Sequence, residues 1–159
     1  IDLLALREQV KQSRQRIVER ARELPAMTRL LEMPGFGDLV GSSYLGSIGD
    51  GQQFKCGRQV SAWLGLVPRQ HGSGGKVQLH SITKSGDRHL RTMLMHGARA
   101  VIARARGKDT PIGRWVTPLI ERRGYNKAVV ALANKNARIA WHIVARDAHY
   151  DPGKAFGSA

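Results

Sequence analysis

The sequence predicts a mainly α-helical protein: an N-terminal coiled-coil-like helix, a helix-hairpin-helix, then a small helical domain with a glycine-rich loop or short β-hairpin. Three observations predict it. Leu90, Met93, Leu94, Gly97, Ala98, Val101, Ile102 and Ala105 form one apolar stripe at helical spacing over 85–106. Helix starts and stops punctuate the chain at Asp38, Gly107, Thr110-Pro111 and Gly124. Strand-like runs are confined to Leu66-Val67 and Val77-Gln78-Leu79, either side of Gly72-Ser73-Gly74-Gly75. The expected divisions are an arm at 1–25, a helical domain at 26–150 and a tail at 151–159.

In chain order, Leu3, Val10, Ile17 and Leu24 recur every seven residues, an imperfect heptad pattern over 1–24. A coiled-coil arm and an amphipathic helix packed on its own domain explain it equally. Pro25 closes that helix or opens the next. Residues 26–48 read as helix, turn, helix. Met27, Leu30 and Leu31 give an apolar face, Pro34-Gly35-Phe36-Gly37 the turn, and Asp38 an N-cap. Small residues at such a turn let backbone N–H groups approach a phosphate, so Gly35 and Gly37 are candidate contacts; a plain αα-corner is the structural alternative. Residues 56–65 form a short helix with Val60, Trp63 and Leu64 inward and Arg58 outward. The stripe over 85–106 leaves Arg88, Arg91, Arg99 and Arg106 on or beside the polar face. Thr110-Pro111 opens a helix that Pro118 should kink or split. The last long helix runs from Asn126 to about Ala148, with Val129, Val130, Ala133, Ala137, Ala140, Trp141 and Val144 inward.

The 159 residues carry a formal net charge of +14, which points to a polyanionic partner. Its distribution is sharper than its sum. Between Gly51 and Lys108 the only acid is Asp87, against Lys55, Arg58, Arg69, Lys76, Lys84, Arg88, Arg91, Arg99, Arg104, Arg106 and Lys108. A solvated face ordinarily mixes both signs, so a nucleic-acid footprint is expected. No apolar run reaches membrane-spanning length, and no membrane partner is expected. The first residues lack a secretory n-region, and the absent initiator Met suggests a piece of a longer protein or a trimmed one. The single cysteine, Cys56, excludes an internal disulfide and fits a reducing cytoplasm.

Several chemistries lack their residues. None of the six histidines pairs with a carboxylate or cysteine at ligand spacing, and the 12 acids are scattered. No metal site and no cofactor are therefore expected in this chain. The loop at Gly72–Gly75 lacks Walker or dinucleotide spacing, and no Gly-x-Ser-x-Gly elbow occurs. Ser73 remains, a serine among glycines. Such a serine is ordinarily a linker. Arg69 before it and Lys76 after it, however, would neutralise phosphate oxygens facing a hydroxyl nucleophile. No base is evident nearby.

Three segments, Met33–Gly37, Leu64–Lys76 and Ile82–Leu94, resemble the C-terminal transposase domain of the insertion-sequence one-ten family, to which Piv-type DNA invertases are related. Arg122–Lys135 is similar to its eleven-eleven subgroup, and the resemblance covers roughly 28–148. It implies a nucleophilic serine in an Arg-x-x-x-Ser-Gly loop, here Arg69-Gln70-His71-Gly72-Ser73-Gly74, forming a covalent phosphodiester with DNA. It implies a RuvC-like domain, absent from this chain, whose four acids bind Mg2+. It also implies DNA and a structured bridge RNA as partners, a dimer or tetramer, and a bacterial or archaeal cytoplasm with nucleoid association. Lys84, Arg88 and Arg91, at the start of the basic helix, join Gly35, Gly37, Arg69 and Lys76 as expected nucleic-acid contacts. The alternative is a non-catalytic helix-hairpin-helix binding module with Ser73 as a linker residue.

Overall fold

The computed structural model describes residues 2–73 and 76–157; for 71–73 and 76–80 it describes the backbone alone. The described residues form eight helices and one two-stranded antiparallel sheet. None of the helices is long and apolar enough to cross a membrane.

Helix α1 (Leu3–Arg22) is capped by Asp2, whose carboxylate accepts the Leu4 amide. Its heptad residues Leu3, Val10, Ile17 and Leu24 are all exposed, and only Ala21 is buried. The C-terminal end is anchored where Arg22 donates twice to Asp38, at 2.9 and 2.7 Å. That tertiary pair changes the expected role of Asp38. Gly37 is the N-cap of α3 (Asp38–Ile48), and Asp38 is its first residue, with its carboxylate turned to α1. Helix α2 (Pro25–Leu31) starts on Pro25 and buries Met27 and Leu30.

The core forms where α5 (Arg88–Ala105) and α7 (Tyr125–Ala145) pack on each other and on α2, α3 and α4 (Gly57–Trp63). Every residue of the α5 stripe is buried except Met93, which packs partly buried against the core. Gly97 allows the closest approach. A Cβ there would overlap the carbonyl oxygen of Gly35, so the α2–α3 turn lies backbone to backbone on α5. Gly35 itself has φ +88, a left-handed conformation that glycine adopts without strain. Tyr44 on α3 is fully buried and donates to the Ala137 carbonyl at 2.8 Å. Burial raises its hydroxyl pKa far above the ordinary value, so it stays a neutral donor.

Three expectations are refined. Helix α6 (Pro111–Arg123) is not split at Pro118 and runs on as one element. Pro118 is exposed, so water can satisfy the Arg114 carbonyl left without a helical donor. Trp63 is not core: it is 41% exposed and meets Phe54 edge-on at 5.8 Å, while Val60 and Leu64 take the buried positions of α4. The tail contains a short helix, α8 (Pro152–Phe156), capped by Asp151, and its Phe156 is buried against Trp115 of α6.

Candidate nucleic-acid interface and serine hairpin

The segments on either side of Gly74-Gly75 pair as two strands. Strand β1 (Pro68–Ser73) pairs antiparallel with β2 (Lys76–Ile82), and Ser73 lies directly opposite Lys76. The register slips once between Pro68 and Gln70, the mark of a bulge near the root. The strands begin later than the Leu66-Val67 pairing expected from sequence, but the ladder continues below them. Thr83 N–H donates to Val67 at 2.9 Å, and Lys84 N–H to Gly65 at 3.1 Å. The Gly74 and Gly75 positions and the side chains of Ser73 and Lys76 lie outside the described residues.

What is described in full is the root, and it is heavily fastened. Arg91 is buried beneath it, only 9% exposed. Its Nη1 donates to the carbonyl of Leu64 on the ascending side, at 3.1 Å, and to that of Ser85 on the descending side, at 2.9 Å. One guanidinium thus ties both ends of the hairpin segment to α5. Arg91, expected as a nucleic-acid contact, thus has its Nη1 committed to main-chain carbonyls. Asn134 of α7 fixes the ascending side as well, donating to Leu66 at 3.0 Å and accepting from Ser61 at 3.3 Å. The two sides meet through glycine. A Cβ on Gly86, at φ +75, would overlap the Trp63 carbonyl.

Lone Asp87 has a structural reason to be there. It caps α5, accepting from the Leu90 amide at 2.9 Å, and accepts from Ser47 at 2.7 Å. Those bonds, the one from Leu90 first, hold its carboxyl below the usual carboxylate range. The acid thus serves the fold, and the cations around it remain without an ion-pair partner among the described residues.

Three expected contacts lie exposed around the root. Arg69, on β1, donates to the Thr83 carbonyl at 3.2 Å. Lys84 sits in the turn with φ +57. Arg88 is the first residue of α5. Gly35 and Gly37 are elsewhere. Gly35 approaches α5 at Gly97, which is six residues, or about 9 Å, along the helix from Arg91. Asp38, in the first turn of α3, places a negative charge beside that helix start, which disfavours a phosphate at that point. Among the described residues no group of three or more His, Cys, Asp or Glu side chains could hold a metal ion.

Sequence reasoning missed Asn134. Its signal was present: a carboxamide interrupting an alanine-rich helix asks for a partner.

The family model for the IS116/IS110/IS902 transposases matches residues 27–111, from α2 through the hairpin to the start of α6. The chain belongs to this transposase family. It is 44% identical over 158 residues to a protein of Pseudomonas aeruginosa named a probable family 20 transposase, covering 95% of this chain and 47% of that one. It is 49% identical over 125 residues to the transposase for insertion sequence element IS1111A of Coxiella burnetii, covering 79% and 34%. It is 28% identical over 127 residues to the pilin gene-inverting protein of Moraxella bovis, covering 77% and 38%. The transposase-family chain spans less than half the length of each of these relatives.

Proposed function

We propose that this chain is the part of a DNA transposase that delivers the attacking hydroxyl, from Ser73, to a DNA phosphodiester. The observation that carries the reading is the doubly fastened hairpin. A segment ending in an Arg69-x-x-x-Ser73-Gly74 loop projects from a root whose two ends share one buried guanidinium. Such a root fixes where the hairpin leaves the helical domain, and in-line attack by a residue it carries requires a fixed base of that kind. In the step, the Ser73 oxygen gives up its proton to a base, forms a bond to phosphorus, and the bond from phosphorus to one deoxyribose oxygen breaks. Arg69 and Lys76 would offset charge on the non-bridging oxygens. Arg69, Lys84 and Arg88 surround the root, where they would hold the flanking strand.

Among the described residues no group of three or more His, Cys, Asp or Glu side chains could hold a metal ion. The acids and Mg2+ would come from a RuvC-like domain outside this chain, carried by the same longer protein or a partner copy. The chain alone is thus expected to bind nucleic acid and not cut it. A structured bridge RNA as guide belongs to the same proposal, as does self-association through the exposed α1 heptad residues. Sedimentation that leaves a Val10→Asp, Ile17→Asp variant at the wild-type mass would remove α1 from that assembly.

The test of the nucleophile is covalent capture on a nicked DNA substrate. It uses the Pseudomonas relative with this chain grafted in place of its matching segment. An adduct lost in Ser73→Ala supports the reading. An adduct that survives the substitution returns the chain to the helix-hairpin-helix binding module, with Ser73 a linker.

A further inference from the structure

A second basic site lies away from the hairpin. The start of α4, the middle of α7 and the segment running into α8 enclose an open cleft of about 1010 Å³. Arg58, Lys135, Arg138 and Lys154 line it. Among the described residues none of the four makes an ion pair with a carboxylate. The one acid in the lining, Asp151, accepts the Lys154 amide as the α8 cap. His149, also in the lining, is held by Glu32 at 2.9 Å.

The cations are placed by the fold rather than scattered. Lys135 and Arg138 lie three residues apart on one face of α7. Gly57 presses the start of α4 onto them: a Cβ there would sit 3.1 Å from the Arg138 backbone. That brings Arg58 to the same end. The Lys135 ammonium lies 5.4 Å from the Trp115 ring centroid and 5.0 Å from that of Phe156. Burial first, and the neighbouring Arg138 second, lower its pKa. A half-buried lysine beside an arginine is costly in an empty cleft, and an anion entering it relieves both penalties.

We propose that this cleft binds the phosphodiester backbone of a nucleic-acid strand, with Arg58, Lys135, Arg138 and Lys154 contacting successive phosphates. The cleft is too large and open for one phosphate. It also lies on a line with the hairpin. Helix α4 runs antiparallel to α7, with Gly57 against Arg138 at the cleft end and Ser61 bonded to Asn134 at the hairpin end. From Gly57 to Leu64 is seven residues, about 10 Å. A strand held in the cleft therefore leads toward the hairpin root. The assignment does not depend on Ser73 being a nucleophile.

Cys56, the only cysteine, is exposed on the cleft rim and gives a local readout. The chain labelled there with a benzophenone maleimide is irradiated with fluorescent duplex DNA or with an RNA stem-loop of matched length. Crosslinking to at least one probe is expected, and the probe captured says whether the backbone is DNA or RNA. In parallel, affinity is followed against salt. Removing the three cations in Arg58→Gln, Lys135→Gln, Arg138→Gln should lower the duplex salt slope by about 2 to 3 and weaken binding at least tenfold near 0.15 M salt. The exposed pair Arg58→Gln, Arg138→Gln, which spares the packed lysine, should lower the slope by about 2. If binding and slope respond only to Arg69, Lys84 and Arg88 variants and Cys56 captures neither probe, the cleft assignment is wrong and the hairpin reading stands. If the unmodified chain binds neither probe, both are wrong.

Discussion

Replacing Arg91 with alanine should loosen the hairpin root more than any other single polar change. Its Nη1 serves the carbonyls of Leu64 and Ser85, at 3.1 and 2.9 Å. A hydrogen bond from a charged donor contributes about 1.5–3 kcal/mol, and a buried acceptor left unpaired costs about 1–3 kcal/mol. Leu64 is fully buried, so its carbonyl bears the full cost; Ser85 is exposed, and water replaces most of what is lost there. The guanidinium's own desolvation penalty is recovered. The net is about 2–4 kcal/mol, which at this chain length lowers the melting temperature by roughly 5–15 °C. Both bonds come from one nitrogen, Nη1, and the lysine ammonium sits on a shorter, more flexible stem than that nitrogen, so Arg91→Lys should recover less than half. Urea denaturation gives the stability, read as a midpoint shift at constant slope. Amide exchange gives the location. The Leu66, Thr83 and Lys84 amides, bonded to Ser61, Val67 and Gly65, should exchange faster, while those of α7 change only as far as global stability does. An Arg91→Ala protein within about 0.5 kcal/mol of wild type, with unchanged exchange at those three amides, would refute the clamp.

Gly97→Ala places a methyl group on the Gly35 carbonyl and should cost about 1–3 kcal/mol or more, measured by the same denaturation; a neutral result would mean the α2–α3 turn does not rest on α5. Asp87 titrates below its unfolded value of about 3.9, so its contribution is present above that pH and is lost as pH falls through the folded value. Asp87→Ala should therefore remove about 1 kcal/mol at pH 7 and flatten the acid limb of the stability profile below about pH 4, whereas an unchanged acid limb would contradict the cap. The isolated chain with Mg2+ should retain DNA or RNA in a salt-sensitive manner and leave supercoiled plasmid intact; Ser73-dependent nicking would show that the chain holds its own base and metal.

Much of the fold was legible because periodicity and punctuation agree. The α5 stripe reads directly from Leu90 to Ala105, and Thr110-Pro111 opens α6 where expected. Asp151-Pro152 opens α8 with the same cap-then-Pro pattern, but 151–159 reads as a tail from sequence, because five residues are too few for a periodic pattern. Arg91 shows why charge alone misleads. It precedes Leu94 by three residues and Ala98 by seven, a core position, but an arginine there reads as surface unless its acceptors are known. Those acceptors are main-chain carbonyls of Leu64 and Ser85, and no side-chain pattern announces them. Asp38 fails as a cap for a related reason: Arg22, 16 residues earlier, competes for its carboxylate and wins. Trp63 was misplaced because a two-turn helix buries few positions, and Val60 and Leu64 fill them. The heptad residues of α1 were legible as a seam, and Val10 and Ile17 line a groove shared with Leu39 of α3 and Met93 of α5 while staying exposed.

The central claim is that the hairpin delivers Ser73 to phosphorus. It is tested most directly by isolating the protein–DNA adduct from the grafted transposase and sequencing the attached peptide. The account predicts a phosphodiester on Ser73, abolished in Ser73→Ala and reduced in Arg91→Ala at equal DNA binding. An adduct on any other residue, or one undiminished in Ser73→Ala, would contradict it.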